Sequence, residues 1–134
     1  FYRASKSDLV HVEEIAIEIG LEKSLSRIAG ELSHGQKQWL EIGMLLAQDP
    51  KLLLVDEPAA GMNNEETEDI ARFIIDIHEE MGKTIIMVDH DMNMVMDIAT
   101  EVIVMDFGKK LFDGNPKEAS KDKNVIEAYL GVSE

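Results

Sequence analysis

The chain has 134 residues, enough for one compact domain with a core and too few for two full domains. Apolar residues make up 45% and charged residues 30%, a globular balance, and no apolar run approaches the eighteen or so residues of a membrane span, so the sequence predicts contact with a membrane only through a partner. Thirteen basic against 27 acidic residues give a net charge of −14, which disfavours nucleic acid and anionic lipid as partners, and the absence of cysteine excludes disulfides and thiolate-held metals and fits a reducing compartment.

The chain opens FYRASKSD, without an initiator Met or a charged-then-apolar leader, and reads as an excised or processed piece. Residues 8–20 place Leu9, Val12, Ile15 and Ile19 at helical spacing, with Ser7 as the expected N-cap and Gly20 as the stop. A polar connector, LEKSLSRIAGE, leads to LSHGQ at 32–36. KQWLEIGMLLAQDP then reads as a helix ending before Pro50, with Ser33 where an N-cap belongs. Residues 51–56 predict a buried strand, 63–82 an amphipathic helix with acids in its first turn, and 83–89 a second buried strand. Strand, helix and strand in that order predict a parallel crossover and an α/β protein. A short helix is expected within 89–99, two strands joined at Gly108 within 101–114, and two small helices beyond Pro116, the second over 125–131. The scattered acids of HVEEIAIE, NNEETED and IHEEM read as solvated helix faces, and His11 and His78 as solvent-facing helix residues.

Three segments carry chemistry. LLLVDEP, 52–58, delivers Asp56 and Glu57 to the carboxyl end of a strand, where one acid suits a hydrated Mg²⁺ and the other a water that attacks a phosphoryl group. Ser33 and Gly35 at a helix start offer a hydroxyl, free N–H groups and the positive end of a dipole to an anion. VDH, 88–90, ends a strand in an acid and an imidazole. Look-alikes fail: Gly30 to Gly35 has P-loop glycine spacing, but Gln36 stands where lysine is required. Asp89, Asp91 and Asn93 begin like a calcium loop that Met94 and Thr100 do not continue. Asp106-Phe107-Gly108 lacks the other kinase elements.

In order and spacing, LSHGQ, LLLVDEP, AAGMN at 59–63 and VDH resemble the signature, Walker B, D-loop and switch-histidine elements of the ATP-binding-cassette ATPases. The likeness covers nearly the whole chain and is strongest to cassettes for branched-chain amino acid or urea-type uptake. It implies a partial P-loop NTPase (RecA-like) parallel sheet, with a helical signature subdomain over about 1–48 and the C-terminal part of the ATPase core over 49–134. It also implies that Ser33, His34, Gly35, Gln36 and Asn63 contact nucleotide or the facing subunit, that Asp56 reaches Mg²⁺ and that Glu57 and His90 are catalytic. Where the family pattern has a second glycine, this chain has His34.

ATP and Mg²⁺, a head-to-tail second ATPase subunit, transmembrane permease subunits and a place on the cytoplasmic face of the cell membrane follow from the same resemblance. No GxxxxGK[ST] occurs in the 134 residues, so the P-loop strand is absent, the chain by itself is expected to be inactive, and the bared TIIMV edge is expected to drive self-association. A non-catalytic module docking on a transmembrane subunit, and a soluble ABC ATPase outside transport, are the alternatives.

Overall fold

The structure is a computed structural model that describes residues 4–130, the side chain of Leu130 excepted. It divides into two compact units, one running to Val88 and the other starting at Asp89.

In the first unit, α1 (Lys6–Glu18) is followed by two single 3₁₀ turns and α2 (His34–Leu46), and then by β1 (Leu52–Asp56), α3 (Asn64–Glu79) and β2 (Thr84–Val88). The N-cap of α1 is Ser5 rather than the expected Ser7: its hydroxyl accepts the Asp8 N–H and the Asp8 carboxylate accepts the Ser5 N–H, a capping box that Ser7 has no acid to complete. At the other end Gly20, at φ 66°, closes the helix as expected. Its N–H bonds the Ile17 carbonyl and the Leu21 N–H the Ala16 carbonyl, the paired bonds of a Schellman motif. The expected apolar stripe of α1 is only half used: Ile15 and Ile19 are buried with Ala16, but Leu9 and Val12 are exposed. Gly43 of α2 packs on the buried pair, where a Cβ would lie 2.6 Å from Ile19 Cδ1, so α1 comes closer to α2 than any side chain at 43 would allow.

The strands β1 and β2 pair in parallel, Leu53 opposite Ile85 and Asp56 opposite Val88, with α3 as the crossover between them. The acidic start and apolar stripe of α3 behave as predicted: Asn63 and Glu66 form a capping box, and Ile70, Phe73, Ile74 and Ile77 are buried, each contributing about 1.5–3 kcal/mol of apolar transfer. The strands themselves correct the sequence reading. Leu53 is buried, yet Leu52, Leu54, Ile86 and Val88 on the opposite face are 47–66% exposed. A run of consecutive apolar residues signals cover on both faces; in this structure α3 covers one.

Below the sheet the loop before β1 is tied to the loop before β2. Asp49, in a left-handed conformation at φ 48°, pairs with Lys83, and the Lys83 carbonyl bonds His78 Nδ1 at 2.8 Å. His78 is therefore exposed, as expected, but also holds this loop. The hydrogen bond from Lys83, and then its charge, keep the Asp49 carboxyl below the usual carboxylate range. A lowered folded-state value stabilises the fold above the unfolded pKa of about 4, and that contribution is lost as pH falls through the folded value. Asp49→Asn, which tolerates the same backbone, is accordingly expected to lower the urea midpoint slightly at pH 6 and progressively less as pH falls below about 4, measured by far-UV circular dichroism.

The second unit contains α4 (Met92–Ile98), β3 (Val102–Asp106), β4 (Lys109–Gly114), α5 (Pro116–Ala119) and α6 (Lys123–Leu130). The strands form the expected antiparallel hairpin. Its two-residue turn has φ 41° at Phe107 and 75° at Gly108, the two positive values that match a type I′ turn to strand twist. Met94, Val102, Pro116, Ala119 and Val125 are its buried residues among those described. The last helix starts earlier than expected because Asp122 Oδ1 accepts the N–H groups of Asn124 and Val125; the predicted end at Gly131 lies outside the described residues.

Candidate functional site

Every candidate residue up to Asn63 lies in the first unit, on two helix starts and one strand end. Ser33 caps α2 as predicted: its Oγ accepts the Gln36 N–H at 3.2 Å, and Gln36 Oε1 accepts the Ser33 N–H at 3.1 Å. A hydroxyl that accepts still has its own proton to donate, so Ser33 remains a donor toward an anion while capping. The Gln36 side-chain oxygen is occupied by the cap. Asn63 does for α3 what Ser33 does for α2, its Oδ1 accepting the Glu66 N–H at 3.0 Å.

These two helix starts are neighbours. A Cβ on Gly35 would stand 3.3 Å from Glu66 Oε1, and further along the rings of Trp39 and Phe73 lie 5.0 Å apart at 44°. With 35 beside 66 and 39 beside 73, α2 and α3 run in the same direction with their N-termini together. Two positive dipole ends therefore lie on one side of the unit, above the acids Glu65 and Glu66 of the first turn of α3. His34 extends the contact: its Nε2 is 2.9 Å from the carbonyl oxygen of Ala60 in the turn after β1.

Asp56 ends β1 with an exposed side chain, and Glu57 follows at φ 46°, a left-handed conformation that costs an ordinary residue about 1–2 kcal/mol. The Glu57 N–H donates to the Val88 carbonyl at 2.7 Å, extending the β1–β2 ladder one step past the strand. Pro58 behind it is fully buried and ends the strand as its missing N–H requires. Glu57 is thus held in a strained conformation by a ladder bond on one side and a buried proline on the other. No three acids or histidines converge among the described residues. One exposed carboxylate beside a strand end is nevertheless what a Mg²⁺ held mostly by water and phosphate oxygens requires of a protein, and Asp56 meets it.

Asp89 and His90 begin the second unit, directly after the Val88 that receives the Glu57 N–H. His90 is 79% exposed, its Nδ1 3.9 Å from Asp89 Oδ1. The Asp89 side chain is 4% exposed; Oδ1 accepts the Asp91 N–H at 2.9 Å, and Oδ2 is buried with no hydrogen-bond partner among the described residues. The sequence reads Asp89 as a strand-end acid before His90 and rejects it as a calcium ligand; its side-chain burial carries no sequence signal because charged residues at strand ends are usually solvated. Glu66 and the Ala60 carbonyl were missed as well. The Asn-x-x-Glu pattern at 63–66 signals the first, whereas a main-chain oxygen has no sequence signal.

Comparison with known proteins agrees with this geometry. Residues 4–60 match the family model described as ABC transporter. Over 131 residues the chain is 35% identical to the high-affinity branched-chain amino acid transport ATP-binding protein BraF of Pseudomonas aeruginosa, covering 98% of this chain and 51% of BraF. It is 38% identical over 107 residues to the methionine import ATP-binding protein MetN of Cereibacter sphaeroides, covering 80% and 30%. Among solved structures, the ADP conformation of an ATP-binding cassette of an ABC transporter superposes with a TM-score of 0.87 at 27% identity, covering 98% of this chain and 53% of that one. The chain thus spans about half the length of the curated relatives it matches. Sequence and fold together place it among the ATP-binding domains of ABC transporters.

Proposed function

We propose that these residues are the signature, Walker B and switch-histidine portion of the ATPase subunit of a solute importer, and that the complete form couples ATP hydrolysis to uptake of an amino acid or urea-like solute. The observation that carries the reading is Glu57, set in a left-handed conformation directly after Asp56 and pinned by its N–H to Val88. The names of BraF and MetN, transport and import ATP-binding proteins, support the importer assignment.

In this reading the Glu57 carboxylate orients the attacking water and takes its proton. His90 holds water and γ-phosphate in line, and Asp56 holds Mg²⁺ through water. The metal, bound with the nucleotide, supplies neutralisation of the charge on the transferring group. Ser33, Gly35 and the start of α2 face the nucleotide of a second, head-to-tail subunit, with Asn63 and the turn before it at the subunit boundary. Residues 1–48 form the helical subdomain and 49–134 the core portion. The partners are permease subunits, and the location is the cytoplasmic face of the membrane. An apolar cavity of about 230 Å³ lined by α1 and α2, including Ile15, Ile19, Leu40 and Met44, favours a second role for the helical part, docking on a transmembrane subunit.

Without a phosphate cradle the chain by itself is expected to release no phosphate from MgATP, and the open TIIMV edge favours its self-association. Joined to the P-loop-bearing half of BraF, it is expected to gain magnesium-dependent turnover in a phosphate-release assay. A robust rate from the 134 residues alone, or a folded fusion that binds no nucleotide, would overturn the reading.

A further inference from the structure

The residue that departs from the signature pattern is the one that reaches furthest. A carbonyl oxygen has no proton to give, so in the 2.9 Å contact with Ala60 the His34 Nε2 must be the donor. The ring also lies against Gly61, where a Cβ would stand 3.2 Å from Nε2 and where φ is 74°. Both facts at 61 disfavour a side chain, so imidazole and turn fit each other. Ala60 is held from the other side as well: its N–H donates to the Glu57 carbonyl at 3.0 Å, and the Glu57 N–H donates to Val88 at 2.7 Å. A chain of contacts therefore runs from His34 in the signature segment, through residue Ala60, whose carbonyl and N–H lie in adjacent peptide units, to the main chain of Glu57.

We propose that His34 is a positioning residue that latches the start of α2 to the 57–62 turn and thereby holds Glu57 in its left-handed conformation. A residue persists in that conformation only when its surroundings over-determine it. The Ala60 N–H is one of the restraints, and His34, through the carbonyl of the same residue, fixes the Ala60 backbone against α2. The latch makes the signature segment and the base-bearing strand end move as one piece, so displacement of Ser33 and Gly35 is felt at Glu57. Its effect on catalysis rests on the functional reading above; the latch itself does not.

The first test needs no substitution. In the 134-residue chain, ¹⁵N imidazole shifts are expected to show His34 protonated at Nε2; a neutral ring protonated only at Nδ1 overturns the latch. The second compares His34→Phe, which keeps a ring and loses the donor, with His34→Gln, whose amide places a donor near the same point. Loss of one net hydrogen bond shifts an equilibrium by roughly two- to tenfold. Amide exchange at Ala60 and Met62, both bonded within the turn, is expected to speed up by that factor in His34→Phe and to stay near wild type in His34→Gln, with Ile70 and Ile77 unchanged as core controls. Equal exchange in all three proteins, or His34→Gln behaving like His34→Phe, overturns the proposal. In the BraF fusion, kcat is expected to fall severalfold in His34→Phe with KM for MgATP within about twofold, and His34→Gln to restore it. A fusion that never hydrolyses ATP while the exchange contrast holds sinks the ATPase reading and leaves the latch standing.

Discussion

Replacing Glu57 by Gln in a complete cassette carrying these residues is expected to lower ATP turnover by about 10²–10⁴-fold while leaving nucleotide binding in place. The substitution keeps the length and shape of the side chain and removes its capacity to accept a proton from water. It also leaves the backbone where it is, because the Val88 and Ala60 bonds are made by main-chain groups of residue 57 and do not depend on the side chain. The loss should therefore fall on kcat, in single-turnover measurements at saturating MgATP, with the Kd for nucleotide moved little. Unchanged turnover would remove Glu57 from the role of base. A large rise in Kd would place it in binding instead.

The second large effect concerns two adjacent leucines that the sequence does not distinguish. Leu53 is 2% exposed and Leu54 66% exposed, because successive strand residues point to opposite faces and only one face is covered by α3. In the 134-residue chain Leu53→Ala is expected to cost about 2–5 kcal/mol in a urea titration, the transfer term plus a cavity that its surroundings cannot fully close. Leu54→Ala is expected to stay within about 0.5 kcal/mol. Equal costs at 53 and 54 would mean that the open face is covered in solution, which is the outcome that self-association through that face produces.

The places where sequence and structure part have a common cause. A capping box needs two residues at a fixed spacing, and reading one of them at a time put the α1 cap at Ser7 instead of Ser5. The stripe Leu9, Val12, Ile15, Ile19 has correct helical spacing, yet spacing reports what a helix is able to bury and not what lies opposite; α2 reaches only the second half of it. LLLV and TIIMV carry the apolar density of strands covered twice, and here they are covered once. In each case the residue pattern was sound and the missing quantity was the position of a neighbour.

What the sequence determined by itself was local and chemical: the helix begun at Ser33, the strand that stops at Asp56, Glu57 and Pro58, the Phe107-Gly108 turn, and the motif order that identifies the ABC ATPases. These depend on residue types at short fixed spacings, which hydrogen-bond geometry and backbone sterics read directly. Only the tertiary structure decided that α2 and α3 start side by side, that the Glu57 backbone is left-handed and pinned by Val88, that the Asp89 side chain is buried, and that His34 reaches Ala60. Those relations join residues 26 or more positions apart or depend on main-chain atoms common to every residue, as with the His34 contact across 26 positions, and no side-chain pattern encodes them until the elements are packed.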